Sequence, residues 1–274
     1  MLTPETRPAR GTAAAAATDE PYYLPIGGEV EIFESCHARQ LPVLLKGPTG
    51  CGKTRFVEYM AWRLRRPLVT IVCHDDLSAS DLTGRYLIRG GETVWVDGPL
   101  AVAARLGAIC YMDELVEARE DTVIVIHPLT DDRRVLPIDK TGEAIMAAPG
   151  FQLVASYNPG YQHAIKDLKP STRQRFVALD FDFPDAAVEA RIVGHETGVK
   201  QSVASALVET AIRVRRLRDQ GLSEGPGTRL LVSAGRLIAD GINSRQACQV
   251  AIAAALTDDP DLLAAIGDII DTTM

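Results

Sequence analysis

Short apolar runs set off by glycine- and proline-marked turns fill the first two-thirds of the chain, whereas the last third carries amphipathic stretches with no extended run. The run LPVLL meets a glycine-rich turn at once, as a buried strand does. In RFVEYMAWRLRR, Phe56, Met60 and Leu64 recur every four residues, which predicts a helix facing a sheet and stopped by Pro67. Leu68 to Cys73 is β-branched and predicts a buried strand, HDDLSASDLTG a turn and short helix, and RYLIRGGETVWV a hairpin around Gly90 and Gly91. Asp97 stands where it can cap a helix through PLAVAARL, and Ala108 to Met112 predicts an interior strand ending in Asp113 and Glu114. A second hairpin is expected to turn at Lys140 to Gly142, with later strands in FQLVASYNP, ending at Asn158, and FVALDFDF, ending near Pro184.

Strands alternating with helices indicate an α/β fold with a three-layer αβα core rather than a helical bundle, and place ligand chemistry at the strand ends. From Ala186 onward AVEARIVGHETG, SVASALVETAIRVRRLRDQG, TRLLVSAGRLIADG, RQACQVAIAAAL and DLLAAIGDII read as helices, expected to form a lid, with Leu222 to Thr228 (LSEGPGT) as a connector. Three segments result: a mobile leader over 1–20, a nucleotide-binding α/β core over 21–185, and the helical lid and C-terminal helices over 186–274.

The nucleotide enters through GPTGCGKT, a complete phosphate-binding loop at a strand-to-helix junction: Gly47, Pro48, Thr49, Gly50, Cys51, Gly52, Lys53 and Thr54. Glycines let backbone N–H groups curl around phosphates, Lys53 can reach the β and γ oxygens, and the Thr54 hydroxyl can join a Mg²⁺ shell. ATP or GTP is the expected ligand. Asp113 is suited to hold Mg²⁺ with Thr54, and Glu114 to take a proton from an attacking water. Asn158 can orient that water or touch the γ phosphate, or else only form a turn with Pro159. Arg173 and Arg175 can neutralise charge on the transferred group or form a solvated basic turn. Arg229, after a Gly-Pro-Gly connector, can approach from another side or be an ordinary helix-start arginine.

Composition narrows this picture. Twenty-nine basic against thirty-six acidic side chains give a formal charge of −7, which disfavours wholesale duplex binding, and sparse aromatics give no RNA platform. Tyr157 and Tyr161 remain possible contacts for a base or partner. No stretch supplies the roughly 18 apolar residues of a membrane span, so the expectation is a cytoplasmic protein with no membrane insertion. Five cysteines, an odd number without close pairing, fit reduced thiols; Cys51 inside the loop is a weak pointer to redox control. The five histidines are scattered, with His74 beside Asp75 and Asp76 the one local cluster.

Taken in order, these motifs resemble those of the AAA+ superfamily: Gly47 to Thr54 its Walker A loop, Asp113 and Glu114 its Walker B, Asn158 its sensor 1, Arg229 its sensor 2. Arg175 resembles the arginine finger, with Arg173 its partner or rival. The two hairpins lie where the MoxR branch carries inserts, and LPVLLKGPTGCGKT, HDDLSASDLTGRYLIRGGETVWVDGPL and LKPSTRQRF resemble the CbbQ/NirQ/NorQ group. The resemblance implies a Mg²⁺-dependent ATPase working as a homo-hexamer, with ATP between subunits and a von Willebrand factor A partner. CbbQ-type members act with a CbbO-type partner to remodel Rubisco and release inhibitory sugar phosphates, and this is the client expected first. NorQ and NirQ types, the alternative, serve activation or assembly of nitric oxide reductase. A third possibility is a nucleotide-switched scaffold with little turnover.

Overall fold

The computed structural model describes residues 19–159 and 167–274. Most of the expected leader, together with Tyr161 and His163, lies outside the described residues. Among the described residues there are nine strands: β1 (Val43–Lys46), β2 (Leu68–Val72), β3 (Gly84–Arg89), β4 (Glu92–Asp97), β5 (Ile109–Asp113), β6 (Val135–Ile138), β7 (Glu143–Met146), β8 (Gln152–Tyr157) and β9 (Val177–Asp180). Five of them form one sheet in the order β2-β5-β8-β1-β9, every neighbouring pair parallel. A parallel neighbour cannot be reached through a tight turn, so the chain must cross over between strands. β1, β5 and β8 are internal and buried almost throughout, the mark of strands covered on both faces.

The register sets the site. Lys46, the last residue of β1, pairs with Tyr157 at the end of β8, and Val72 pairs with Asp113 at the end of β5. The phosphate loop, the acidic pair and Asn158 therefore each follow directly from a carboxyl end of this sheet, where open α/β sheets hold ligands. The predicted hairpins are the antiparallel pairs β3–β4, turning at Gly90 and Gly91, and β6–β7, turning through residues 139–142.

Twelve α-helices complete the described residues: α1 (Glu29–Ala38), α2 (Lys53–Arg63), α3 (Ala79–Thr83), α4 (Pro99–Leu106), α5 (Glu120–Ile124), α6 (Pro170–Arg173), α7 (Ala186–Thr197), α8 (Gln201–Arg215), α9 (Thr228–Ala239), α10 (Ser244–Cys248), α11 (Ala254–Leu256) and α12 (Pro260–Thr273). The chain gathers into two units. One holds the residues up to Lys46, Thr54–Tyr157 and the segment ending at Asp180; the other holds Gly47–Lys53, Asn158 and Phe181–Met274. Each has its own apolar core, the first around Leu82, Leu100, Cys110, Met112 and Leu153, the second around Val193, Leu207, Leu231, Ile252 and Ile266. Further aromatic packing in the first unit sets Phe33 edge-on to Phe56 and Tyr23 beside it, both at 5.4 Å between ring centres.

Several local expectations are corrected. α2 ends at Arg63 rather than at Pro67, because Arg65 turns into the left-handed region at φ 52° and Arg66 N–H closes on Ala61. Its buried face is Phe56, Val57, Met60 and Ala61, and Leu64 lies past the helix end, half-buried. β2 is an edge strand with Thr70 and Val72 turned to solvent, so β-branching there reflects strand propensity and not full burial. Asp97 caps no helix. It closes β4 and accepts from the Trp95 indole at 2.8 Å and Arg105 Nε at 2.9 Å, while Gly98 and Pro99 start α4. β8 stops one residue before Asn158, and β9 stops at Asp180, short of Pro184. The single helix expected over RQACQVAIAAAL is α10 and α11 joined by a π turn at Gln249–Ala253.

Candidate nucleotide site

The phosphate loop leaves β1 and ends in the first turn of α2, so its backbone N–H groups include the unpaired donors of a helix start. Gly50 and Gly52 adopt φ values of 75° and 104°, conformations that a side chain strains against. Lys53 folds back over the loop, its ammonium donating to the Gly47 carbonyl at 2.8 Å and the Pro48 carbonyl at 2.9 Å. Cys51 is buried, and burial pushes its thiol up despite the Lys53 charge. A protonated, enclosed thiol is a packing group and a poor redox centre.

Unexpected company surrounds this loop. The connector read from LSEGPGT lies against it: Thr228 N–H donates to the Gly50 carbonyl at 3.1 Å, and a Cβ on Gly227 would stand 2.6 Å from the Thr49 carbonyl oxygen. The Thr49 N–H donates to Glu224 Oε1 at 2.8 Å, and the Asn158 side-chain amide donates to the same oxygen at 2.8 Å. Asn158 Nδ2 is also 3.4 Å from Thr49 Oγ1, so the structure sets Asn158 beside the loop. Arg229 is exposed in the first turn of α9, which starts at Thr228. Behind the connector, Glu189 is fully buried and takes two hydrogen bonds from Arg215, at 2.7 and 2.9 Å, and one from the Thr228 hydroxyl at 2.7 Å. Arg215 also donates to the Pro226 carbonyl at 3.0 Å and stacks on Phe183 at 3.7 Å from the ring centre.

The acidic pair is organised by residues the sequence reading missed. Asp113 Oδ1 accepts from the Ser156 hydroxyl at 2.6 Å and from the Tyr111 hydroxyl at 2.7 Å. Burial first, then the Asp113 charge, pushes the Tyr111 phenol up, so it stays protonated and donates. Thr54 Oγ1 lies 3.5 Å from the Tyr111 oxygen. Ser156 Oγ in turn accepts the Glu114 N–H at 3.1 Å. Glu114 occupies the left-handed region at φ 56°, ψ 48°, which turns the chain out of β5 and leaves its side chain exposed. A left-handed glutamate directly after a buried strand is the kind of backbone strain that collects at functional sites. Neighbouring Cys73 registers the acids: burial, then Asp113 and Glu114, push its thiol up to about 12.

The two finger candidates differ. Arg173 is exposed and lies 3.5 Å from Asp167. Tyr157, expected as a base or partner contact, is instead buried in the core of the first unit. Arg175 is half-buried, 3.6 Å from Asp131, with its Nε enclosed and, among the described residues, without a hydrogen-bond partner. Bonds from Arg133, with the Arg175 charge adding, hold the Asp131 carboxyl at about 2, so it stays anionic beside the finger candidate.

Ser156 and Tyr111 lie inside apolar strand runs, where only their out-of-place hydroxyls hinted at a role; Glu224 and Glu189 gave no local signal. Among the described residues no cluster of three or more His, Cys, Asp or Glu forms a ready metal site, and no helix is long and apolar enough to cross a membrane. All five cysteines are buried and free of disulfides. The donors fit a nucleotide with its metal: a glycine cradle with an ammonium for phosphates, and a hydroxyl and a fixed carboxylate for a hard cation.

A profile of the AAA domain (dynein-related subfamily) matches residues 42–176, and one of the CbbQ/NirQ/NorQ C-terminal region matches 189–273. The protein CbbQ of Hydrogenophilus thermoluteolus is 60% identical over 89% of this chain and 91% of its own. NorQ of Paracoccus denitrificans is 59% identical over 94% and 96%, and the denitrification regulatory protein NirQ of Pseudomonas aeruginosa 57% over 92% and 96%. Among solved structures, a RuvB variant of Thermotoga maritima matches with a TM-score of 0.54 at 16% identity, covering 90% of this chain and 71% of that one, which speaks to the fold alone. With a parallel sheet that ends in a phosphate loop and an acidic pair, and a helical C-terminal region matched to the same group, the chain belongs to the CbbQ/NirQ/NorQ family of AAA+ ATPases and is an ATP-hydrolysing enzyme.

Proposed function

We propose that the chain is the ATP-driven subunit of a remodelling machine that activates or assembles nitric oxide reductase. The observation that carries the hydrolytic half is the hydrogen-bonded series from Tyr111 through Asp113 and Ser156 to the strained Glu114. It fixes one carboxylate, Asp113, by two donors and leaves the next one exposed. In this reading Gly47–Thr54 and Lys53 hold the phosphates of ATP, and Thr54 and Asp113 hold Mg²⁺. The bound ion would neutralise charge on the phosphates. Glu114 takes the proton of the attacking water and Asn158 orients that water. Arg175, with Arg173 beside it, reaches the site of the next copy in a homo-hexamer, and Arg229 answers from the helical region. A partner carrying a von Willebrand factor A domain would select the client.

Two relatives are named for denitrification, and the NorQ relative aligns over 94% of the chain, which supports nitric oxide reductase as client. The 60% identity to CbbQ supports a second reading, a Rubisco activase acting with a CbbO-type partner. Steady-state ATP turnover tests the motor: a purified chain that binds ATP with no measurable turnover would instead fit a nucleotide-switched scaffold. The client is tested by adding ATP, this chain and its von Willebrand partner to inactive nitric oxide reductase and, separately, to sugar-phosphate-inhibited Rubisco. Recovery of the reductase alone supports the first reading; recovery of Rubisco alone overturns it in favour of the second.

A further inference from the structure

Glu224 is a carboxylate seated on an anion-binding loop. One of its oxygens accepts from the Thr49 N–H and from the Asn158 amide, both at 2.8 Å. Thr49 lies in the loop, and Asn158 is the residue assigned to the water or the terminal phosphate. Hydrogen bonds donated to a carboxylate are of the strong class, so the two donors are well occupied. The segment carrying Glu224 is also tied down. Three residues on, Gly227 abuts Gly50 so closely that a Cβ on Gly50 would stand 3.0 Å from the Gly227 Cα, and Thr228 N–H bonds the Gly50 carbonyl. Arg215 holds Pro226, and Glu189 holds Thr228. Glu224 is thus the charged tip of a strap that runs directly into α9 and Arg229.

We propose that Glu224 is a specificity-determining residue, an internal anion that competes with the terminal phosphate of a nucleoside triphosphate for the Thr49 N–H and the Asn158 amide. A diphosphate lacks the competing group and leaves Glu224 in place; a triphosphate dislodges it. Because the strap continues into α9, the number of phosphates is converted into a pull on the start of that helix. The proposal rests on the nucleotide-site reading given above.

The test measures ATP and ADP affinity by calorimetry on the full chain carrying Glu114→Gln to suppress turnover, alone and combined with Glu224→Ala or Glu224→Gln. Removing the competitor in Glu224→Ala should tighten ATP binding roughly 3- to 10-fold, the worth of one or two hydrogen bonds. Glu224→Gln keeps an acceptor without the charge and should tighten it less. ADP affinity should stay within about 2-fold, since the loss is confined to donors facing the terminal phosphate. ATP affinity unchanged or weakened in either folded variant, or ADP tightened in parallel, overturns the proposal; thermal melts establish folding, and the near-isosteric Gln variant decides if Ala does not fold. Should the Glu114→Gln parent bind neither nucleotide, the nucleotide-site reading falls together with the proposal. Should the parent bind ATP and the variants match it, only the role of Glu224 falls.

Discussion

Glu114 carries two burdens that pull against each other. Its left-handed backbone is one that β-carbon sterics disfavour by about 1–2 kcal/mol, and the Ser156 hydroxyl on its N–H helps hold it there. Glu114→Gly should therefore raise stability by about 1 kcal/mol in chemical denaturation, while removing the proposed base cuts ATP turnover by at least about 100-fold. Glu114→Gln should lose turnover similarly with no gain in stability, because it keeps the Cβ. Equal stabilities for the two variants would argue against the strain. His37 is a second telling residue. Gln152 donates its amide to the Leu41 carbonyl and so turns its oxygen to His37 Nδ1 at 3.0 Å, making that nitrogen the proton carrier. Burial, first among the causes, lowers the imidazole below its ordinary value of 6.5. A lowered value means that the unfolded chain binds the proton first. Stability is therefore full above 6.5 and falls as pH drops from there toward the lowered folded value. Denaturant midpoints measured from pH 7.5 to 5.5 should decline in the native chain and decline less in His37→Gln.

Among the elements, the connector before α9 shows how packing without charge can govern a phosphate loop. Gly227 has an ordinary φ of −77°, so alanine fits its backbone, yet the added Cβ would meet the Thr49 carbonyl at 2.6 Å and the Gly50 Cα at 2.9 Å. Gly227→Ala should force connector and loop apart, lowering ATP affinity about 10-fold and stability by about 1–3 kcal/mol. Unaltered nucleotide affinity in calorimetry would mean that the loop tolerates the displacement. The Glu189–Arg215 pair fixes the other side of the connector. Glu189 has no exposed surface, so Arg215→Ala strands a buried carboxylate and should cost about 3–5 kcal/mol in equilibrium unfolding. Glu189→Gln with intact Arg215 should cost less, because arginine reaches solvent more readily.

Arg175 raises the question of the assembled molecule. Its guanidinium is half-buried, 3.6 Å from Asp131, and its Nε is enclosed, with no acceptor among the described residues. If it serves the site of a neighbouring copy, Arg175→Ala and Glu114→Gln rings are each inactive, whereas mixed rings regain part of the ATP turnover where a Glu114 site faces an intact Arg175. Turnover that stays at the level of the pure variants, with mixing confirmed by differently tagged copies, would place Arg175 elsewhere; Arg173→Ala under the same protocol shows whether the exposed neighbour takes the role.

The phosphate loop, the acidic pair, both hairpins and the alternation behind the α/β core were legible in the chain, because each is local: a glycine, a turn or an apolar run constrains only its near neighbours. Chain order alone could also order the motifs. What required the folded molecule were the partners those residues keep. Ser156 acts on Asp113 only because β5 and β8 are neighbours in register, whereas Tyr111 reaches Asp113 from two residues back on the same strand, and Glu224 meets Thr49 from 175 residues away. The left-handed turn at Glu114 and the edge position of β2 escaped notice for the same cause. Each is set by hydrogen bonds and packing with residues distant in sequence, and side-chain chemistry read in order carries no record of which distant groups will meet.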